Sequence, residues 1–215
     1  MQPDIASIHY FLPNPEGFWK MAKSLAKTLF NAKPNPAHIA LAELEKMGKL
    51  RCIITQNIDS LHQKAGSKNV IEIHGTARTA TCLSCGKKFR DADILKMLDE
   101  GLLVPVCDRC GGLIKVDAVF FGENLPRDAL SRAMDESIHC DAMLVVGSSL
   151  VVYPAAYISS SIGKGARANI IVVNLEPTWF DRIADVVIHG KAGEILPELV
   201  AKVKELLLSD NSNTR

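Results

Sequence analysis

The chain has 215 residues, 47% of them apolar and 23% charged, with 25 Lys and Arg against 24 Asp and Glu for a net charge of +1. This length admits one large domain, or one domain with a small module, and a core that needs no disulfide staples. The balance excludes wholesale disorder and argues against a binder of phosphate backbones.

The opening stretch MQPDIASIHYFLPNP has neither a basic start nor an unbroken apolar core, so no signal peptide is expected. Helical periodicity runs over residues 16–31 and 37–47; in the second, Ala37, Leu41 and Leu44 share a face, with Pro36 at the start and Gly48 just past the end. Short β-branched runs follow at Cys52–Thr55, Val70–Ile73, Val116–Phe121, Leu144–Val146 and Ile170–Val173. Continuous apolar runs of this kind, separated by helical or turn-rich segments, predict buried parallel strands in an α/β, doubly wound sheet. The uncharged span Ala142 to Gly163 carries Gly147, Tyr153, Pro154 and three consecutive serines, and reads as strand, turn and helix rather than a membrane span. The polar stretch from Ser209 to Arg215 reads as a frayed tail.

Each run ends in polar groups: Gln56-Asn57-Ile58-Asp59, His74-Gly75, Gly122-Glu123, Gly147-Ser148-Ser149 and Asn174-Leu175-Glu176. Ligands of open parallel sheets bind beyond the carboxyl ends of the strands. Any one of these turns could be an ordinary strand end; as a set they suggest a ligand edge.

Cys82-x2-Cys85 and Cys107-x2-Cys110, with Gly86, Gly111 and Gly112 behind them, can set four thiolates tetrahedrally around one Zn²⁺ and leave no open position for water. The expected site is structural. Cys52 and Cys140 read as small buried hydrophobes. Six cysteines without a secretion signal point to a reducing, cytoplasmic compartment. Zinc ribbons also occur in nucleic-acid binders. Here, however, Lys87, Lys88, Arg90 and Arg109 are offset by Asp91, Asp93, Asp99, Glu100 and Asp108, with Phe89 as the one aromatic, so no direct nucleic-acid contact is expected. Gly163-Lys-Gly165 precedes a strand rather than following one and fails as a dinucleotide fingerprint. Gly147-Ser148-Ser149 has the better context, and Asn174 and Glu176 could bond ribose hydroxyls.

The motifs TQNIDSLHQKAG (Thr55 to Gly66), IHG (Ile73 to Gly75), the two Cys pairs, VFFGE (Val119 to Glu123), GSSLVVYPAA (Gly147 to Ala156) and VVNLEPT (Val172 to Thr178) closely resemble the sirtuins, NAD-dependent protein-lysine deacylases. The resemblance implies a Rossmann-like NAD-binding domain (1–77 and 116–208), a zinc module at 78–115 and a flexible tail at 209–215. Residues 8–34 are a candidate helical part of the small domain. It implies that NAD and an acetylated-lysine protein or peptide meet between the domains, with no membrane partner. His74 would act as general base on the ribose hydroxyls, a task suited to imidazole because its pKa of about 6.5 lies near the operating pH. Asn57 and Asp59 would stand beside it in the reaction.

Gln56, Asn57, Ile58 and Asp59 would line the nicotinamide-ribose pocket. Gly147, Ser148, Ser149, Asn174, Leu175 and Glu176 would hold the adenosine half, with Lys191 and Ala192 near the adenine. Val119, Phe120, Phe121, Gly122 and Glu123 would form the peptide edge and the acyl-lysine tunnel. Trp19 and Trp179 read as packing residues, and His9, His38, His62, His139 and His189 receive no role.

The sirtuin subgroup that prefers acidic acyl chains has Tyr-x-x-Arg at the positions of Ala22 and Leu25, so an uncharged acyl group such as acetyl is expected. Two departures stand out. Nothing in residues 1–15 resembles the family's Gly-Ala-Gly-x-Ser loop or Gly-Ile-Pro-x-Phe-Arg segment, from which weak NAD binding and poor turnover are expected. The usual Arg-Pro-Asp before the FGE strand is Lys115-Val116-Asp117. Two other functions fit the same motifs: ADP-ribosyl transfer to protein, and non-catalytic binding of acyl-lysine.

Overall fold

The structure is a computed structural model that describes residues 3–153, 156, 158 and 168–213. In chain order the helices are α1 (Ile8–Phe11), α2 (Pro15–Asn31), α3 (Pro36–Lys46), α4 (Leu61–Ala65), α5 (Asp91–Asp99), α6 (Arg127–His139) and α7 (Ala192–Asn213). The strands are β1 (Ile53–Thr55), β2 (Val70–Glu72), β3 (Gly75–Cys82), β4 (Lys88–Arg90), β5 (Ile114–Ala118), β6 (Ala142–Val146), β7 (Asn169–Asn174) and β8 (Val186–His189). Contacts divide the chain into two units: residues 1–32, 55–60 and 72–127, and residues 33–54, 61–71 and 128–215.

The first unit is built on an antiparallel sheet of order β4-β3-β5. Its core gathers Phe11, Phe18, Trp19, Phe89, Ile94, Leu98, Ile114 and Phe120. Phe18 packs edge-on against Phe11 and Trp19, and a tilted Phe120 closes the group at 4.7 Å from Phe18. Val116–Phe121 was expected as a parallel strand. Instead β5 covers Ile114–Ala118 and runs antiparallel to β3, with Thr81 opposite Lys115 and Cys82 opposite Ile114. The chain leaves on β3, turns through the cysteine knuckles and comes back, and such a return is antiparallel.

The second unit holds a parallel sheet, β6-β7-β8, in register from Ala142 opposite Asn169 to Val146 opposite Val173. Strand β8 was not foreseen, although Val186-Val187-Ile188 is a β-branched apolar run; its residues are mostly exposed, as on the edge of the sheet. In α3, Asn35 caps the helix in a reciprocal box with His38, Pro36 occupies the first turn, and Gly48 leaves at φ +70°. Ala37, Leu41 and Leu44 are buried, as their spacing predicts, and pack with Val173, Leu196 and Val200 of β7 and α7. Strand β1 pairs with β2 through Ile53 N–H to Asn69 O (2.9 Å) and Ile73 N–H to Thr55 O (3.0 Å).

Helix α7 continues through the polar stretch from Ser209 as far as Asn213. The helix expected beyond Tyr153 falls largely outside the described residues. Among the described residues no helix is long and apolar enough to cross a membrane.

Candidate active site and metal centre

Metal ligands are clearest in the first unit. The four sulfurs of Cys82, Cys85, Cys107 and Cys110 lie within 4.8 Å of one another. Cys82 and Cys110 are 3.5 Å apart, and Cys85 and Cys107 3.6 Å. Tetrahedral Zn²⁺ with bonds of about 2.3 Å requires sulfurs separated by about 3.8 Å, so the quartet fits the ion. Both knuckles have one construction. Gly86 N–H bonds Cys82 O (2.9 Å) and Gly111 N–H bonds Cys107 O (2.7 Å), at φ +70° and +71°.

Burial works against the Cys82 thiolate, but the amides of Cys85 and Ser84 outweigh it and bring the thiol down to about 6. At Cys110 the Gly112 amide favours the anion, yet the sulfurs of Cys85 and Cys82 push that thiol up to about 12. Four sulfurs this close are not all anionic without a cation among them.

His74 follows β2 and directly precedes β3. Gly75 has φ +68°, and a side chain there would strike the Asp117 carbonyl, so the His-Gly pair is a steric requirement. His74 Nδ1 lies 3.1 Å from the Gln56 carbonyl oxygen. A carbonyl only accepts, so Nδ1 carries the proton and Nε2 keeps its lone pair, the tautomer a general base needs. The His74 carbonyl accepts from Val119 N–H (2.8 Å), which ties the start of the Val119–Glu123 segment to the His74 backbone.

Residues 56–59 are held by backbone bonds. Asn57 N–H donates to Thr55 Oγ1 (3.1 Å), Ala77 N–H to Ile58 O (3.0 Å) and Arg78 Nη2 to Asp59 O (3.2 Å). The loop ends at Ser60 with φ +57°, an uncommon conformation for a residue with a side chain.

Within the Val119–Glu123 segment the aromatic pair divides. Phe120 is buried in the core, whereas Phe121 is 59% exposed. Both backbone groups of Phe121 are engaged, its N–H by Ala6 O (2.8 Å) and its C=O by Ile8 N–H (3.0 Å). Phe120 N–H donates to Glu123 Oε2 (2.8 Å).

In the second unit a pocket of about 570 Å³ is lined by Gly147, Ser149, Asn174, Leu175, Glu176, Lys191 and Ala192, all seven expected at an adenosine site. Ser148 is not among the lining residues; its hydroxyl accepts Leu150 N–H (3.2 Å). Trp179, assigned to packing from sequence, lines the pocket and is 42% exposed, its indole N–H held by Leu150 O (3.1 Å). Trp19 is buried. Leu150, just after the Gly-Ser-Ser turn, is buried at φ +55°, a strained position that no sequence signal marks. Apolar walls from Trp179, Val151 and Pro177, beside the carboxylate of Glu176 and the amide of Asn174, suit a base and a ribose.

The sequence model of the Sir2 family matches residues 1–154. The chain is 48% identical over 204 residues to NAD-dependent protein deacylase 2 of Archaeoglobus fulgidus, covering 94% of this chain and 79% of that protein. It is 44% identical over 207 residues to NAD-dependent protein deacetylase 1 of Pyrobaculum aerophilum, covering 96% and 80%. A solved structure described as Sir2 with p53 peptide and NAD+ superposes with a TM-score of 0.90 at 42% identity, covering 94% of this chain and 84% of that one. Another, Sir2 bound to acetylated peptide, gives 0.89. The chain belongs to the Sir2 family.

Proposed function

We propose that the protein is an NAD-dependent protein-lysine deacylase that removes acetyl or similar uncharged acyl groups from lysine. The observation that carries this reading is the His74–Gln56 bond, which leaves Nε2 as the base, in a chain 42–48% identical to deacylases and to peptide- and NAD-bound Sir2 structures. NAD supplies the activated ribose carbon and the hydroxyls that receive the acyl group. His74 Nε2 takes a proton from those hydroxyls, with Asn57 and Asp59 beside it and Gln56 and Ile58 completing the loop. Gly147, Ser149, Asn174, Leu175 and Glu176 hold the adenosine portion, with Lys191 and Ala192 at the adenine, and Ser148 acts by shaping the turn.

Acyl-lysine peptide pairs with the backbone at Gly122, since Phe121 spends both backbone groups on the protein's own Ala6 and Ile8, and Glu123 N–H is bonded to Phe120 O (3.0 Å). An acylated lysine is neutral and loses little on leaving water, whereas a free ammonium would lose much. Ala22 and Leu25 offer no cation to an acidic acyl chain. One structural Zn²⁺ is held by the cysteine quartet. Six cysteines without a disulfide, four of them zinc ligands, suit the reducing cytoplasm.

The names of the relatives favour deacylation over transfer of ADP-ribose to protein. Incubation of an acetyl-lysine peptide with the protein and NAD tests the reading. Nicotinamide release matched by free lysine is expected. ADP-ribose left on protein would replace it with the transferase.

A further inference from the structure

Arg78 lies on β3 between the candidate base at one end of the strand and the first zinc ligand, Cys82, at the other. We propose that Arg78 is a positioning residue that ties the Gln56–Asp59 loop to the zinc module. The functional half of this proposal rests on the assignment of that loop to NAD.

The guanidinium serves two partners at once. Nη1 donates to Asp91 Oδ2 at 3.1 Å, in an ion pair whose side chains are 26% and 25% exposed. Nη2 donates to the Asp59 carbonyl at 3.2 Å. The Phe30 ring centroid lies 5.0 Å from the guanidinium carbon and fixes its plane. Asp91 is itself pinned. It is the first residue of α5, where the helix N-terminus favours a carboxylate, and its Oδ1 accepts Ala92 N–H at 2.8 Å.

The loop needs such a tether. It has no regular structure of its own, and it ends in the strained Ser60, a conformation that persists only where the surroundings over-determine it. Ala77 N–H holds Ile58 from the same strand. The zinc module carries none of the groups assigned to NAD or peptide, yet through Asp91 and Arg78 it holds one of them in place. The planar fork meets the two partners with two separate nitrogens in a fixed plane, whereas a lysine ammonium is a single point charge on a flexible stem.

Hydrogen exchange of the unliganded protein, together with steady-state kinetics, tests the tether. Arg78→Ala is expected to speed exchange of the residue 57–60 amides and to raise KM for NAD by about tenfold, with kcat changed less. Arg78→Lys, which keeps the charge and spares the fold, should follow Arg78→Ala rather than the native protein. Asp91→Asn should do the same, and the double variant should be no worse than Arg78→Ala alone, because both act through one contact. Native-like exchange over the loop in both Arg78 variants, or penalties that multiply in the double variant, would overturn the proposal. Asn57→Ala examines the underlying assignment separately. A native KM for NAD in that variant overturns the functional half, while the exchange comparison decides the tether on its own.

Discussion

Lys115 and Glu123 form an ion pair of 2.9 Å in which the lysine side chain is only 8% exposed. The ammonium donates to Ala118 O (2.9 Å) and Val116 O (3.0 Å), pairs with the Glu123 carboxylate, and sits 4.2 Å from the Phe120 ring centroid. Glu123 passes the restraint on by accepting Phe120 N–H. The lysine that departs from the family's usual arginine is therefore a buried, paired cation at the turn of the peptide segment.

Removing one partner leaves the other charge uncompensated. Lys115→Met should cost about 3 kcal/mol in denaturant unfolding, the Glu123 carboxylate being partly solvated. Glu123→Gln keeps an acceptor for Phe120 N–H but leaves the more deeply buried Lys115 ammonium without a counter-charge, and should cost more, about 4 to 5 kcal/mol. Equal losses in the two variants would contradict this account of the pair.

Zinc removal should act on the module rather than on the parallel sheet. One zinc per chain is expected by metal analysis. Chelation, or Cys85→Ser, should release exchange protection over residues 78–115 and lower stability by several kcal/mol, because ligation and folding of such modules are one process. A metal-free protein with unchanged melting would show the quartet to be ordinary packing.

Asp117 makes stability depend on pH. Burial opposes its charge, but the Thr79 and Thr81 hydroxyls and the Lys88 ammonium outweigh it and hold the carboxyl below its ordinary 3.8. A carboxyl depressed in the folded state stabilises fully above its unfolded pKa, and that contribution is lost as the pH falls through the lower, folded value. Native protein should therefore lose stability below about pH 4 more steeply than Asp117→Asn. Parallel pH profiles would show that this carboxylate adds nothing.

Gly75 supplies a steric test next to the base. Gly75→Ala must move either its own backbone or the Asp117 carbonyl, so it should destabilise the protein by at least about 1 kcal/mol and displace His74. Deacylation should fall by about a hundredfold or more, since a displacement near 1 Å costs that much. A stable, fully active Gly75→Ala protein would mean that this conformation is not needed.

What the sequence made legible was local. Cys-x2-Cys-Gly occurs twice, and its two glycines adopt the same turn; the spacing of Ala37, Leu41 and Leu44 foretold the buried face of α3. Partners distant in the chain were not legible. The direction of β5 depends on pairing with β3, and β8 becomes a strand through its pairing with β7 although its apolar residues stay largely exposed. Trp179 came to line a pocket because the turn at Leu150 supplies a carbonyl for its indole, which residue identity does not announce. The opposite fates of Phe120 and Phe121 were within reach, since neighbouring residues in extended chain point to opposite sides. The positive φ at Ser60 and Leu150 is invisible to composition because neither residue favours it.

His74 stands at the centre of the proposed lysine deacylation as its base. Mass spectrometry of an acetyl-lysine peptide incubated with NAD, native protein against His74→Ala, tests it most directly, provided both melt at similar temperatures. Free lysine and an acyl-ADP-ribose product are expected with native protein, and about a hundredfold to ten-thousandfold less with the variant. Equal deacetylation by the two proteins would contradict it.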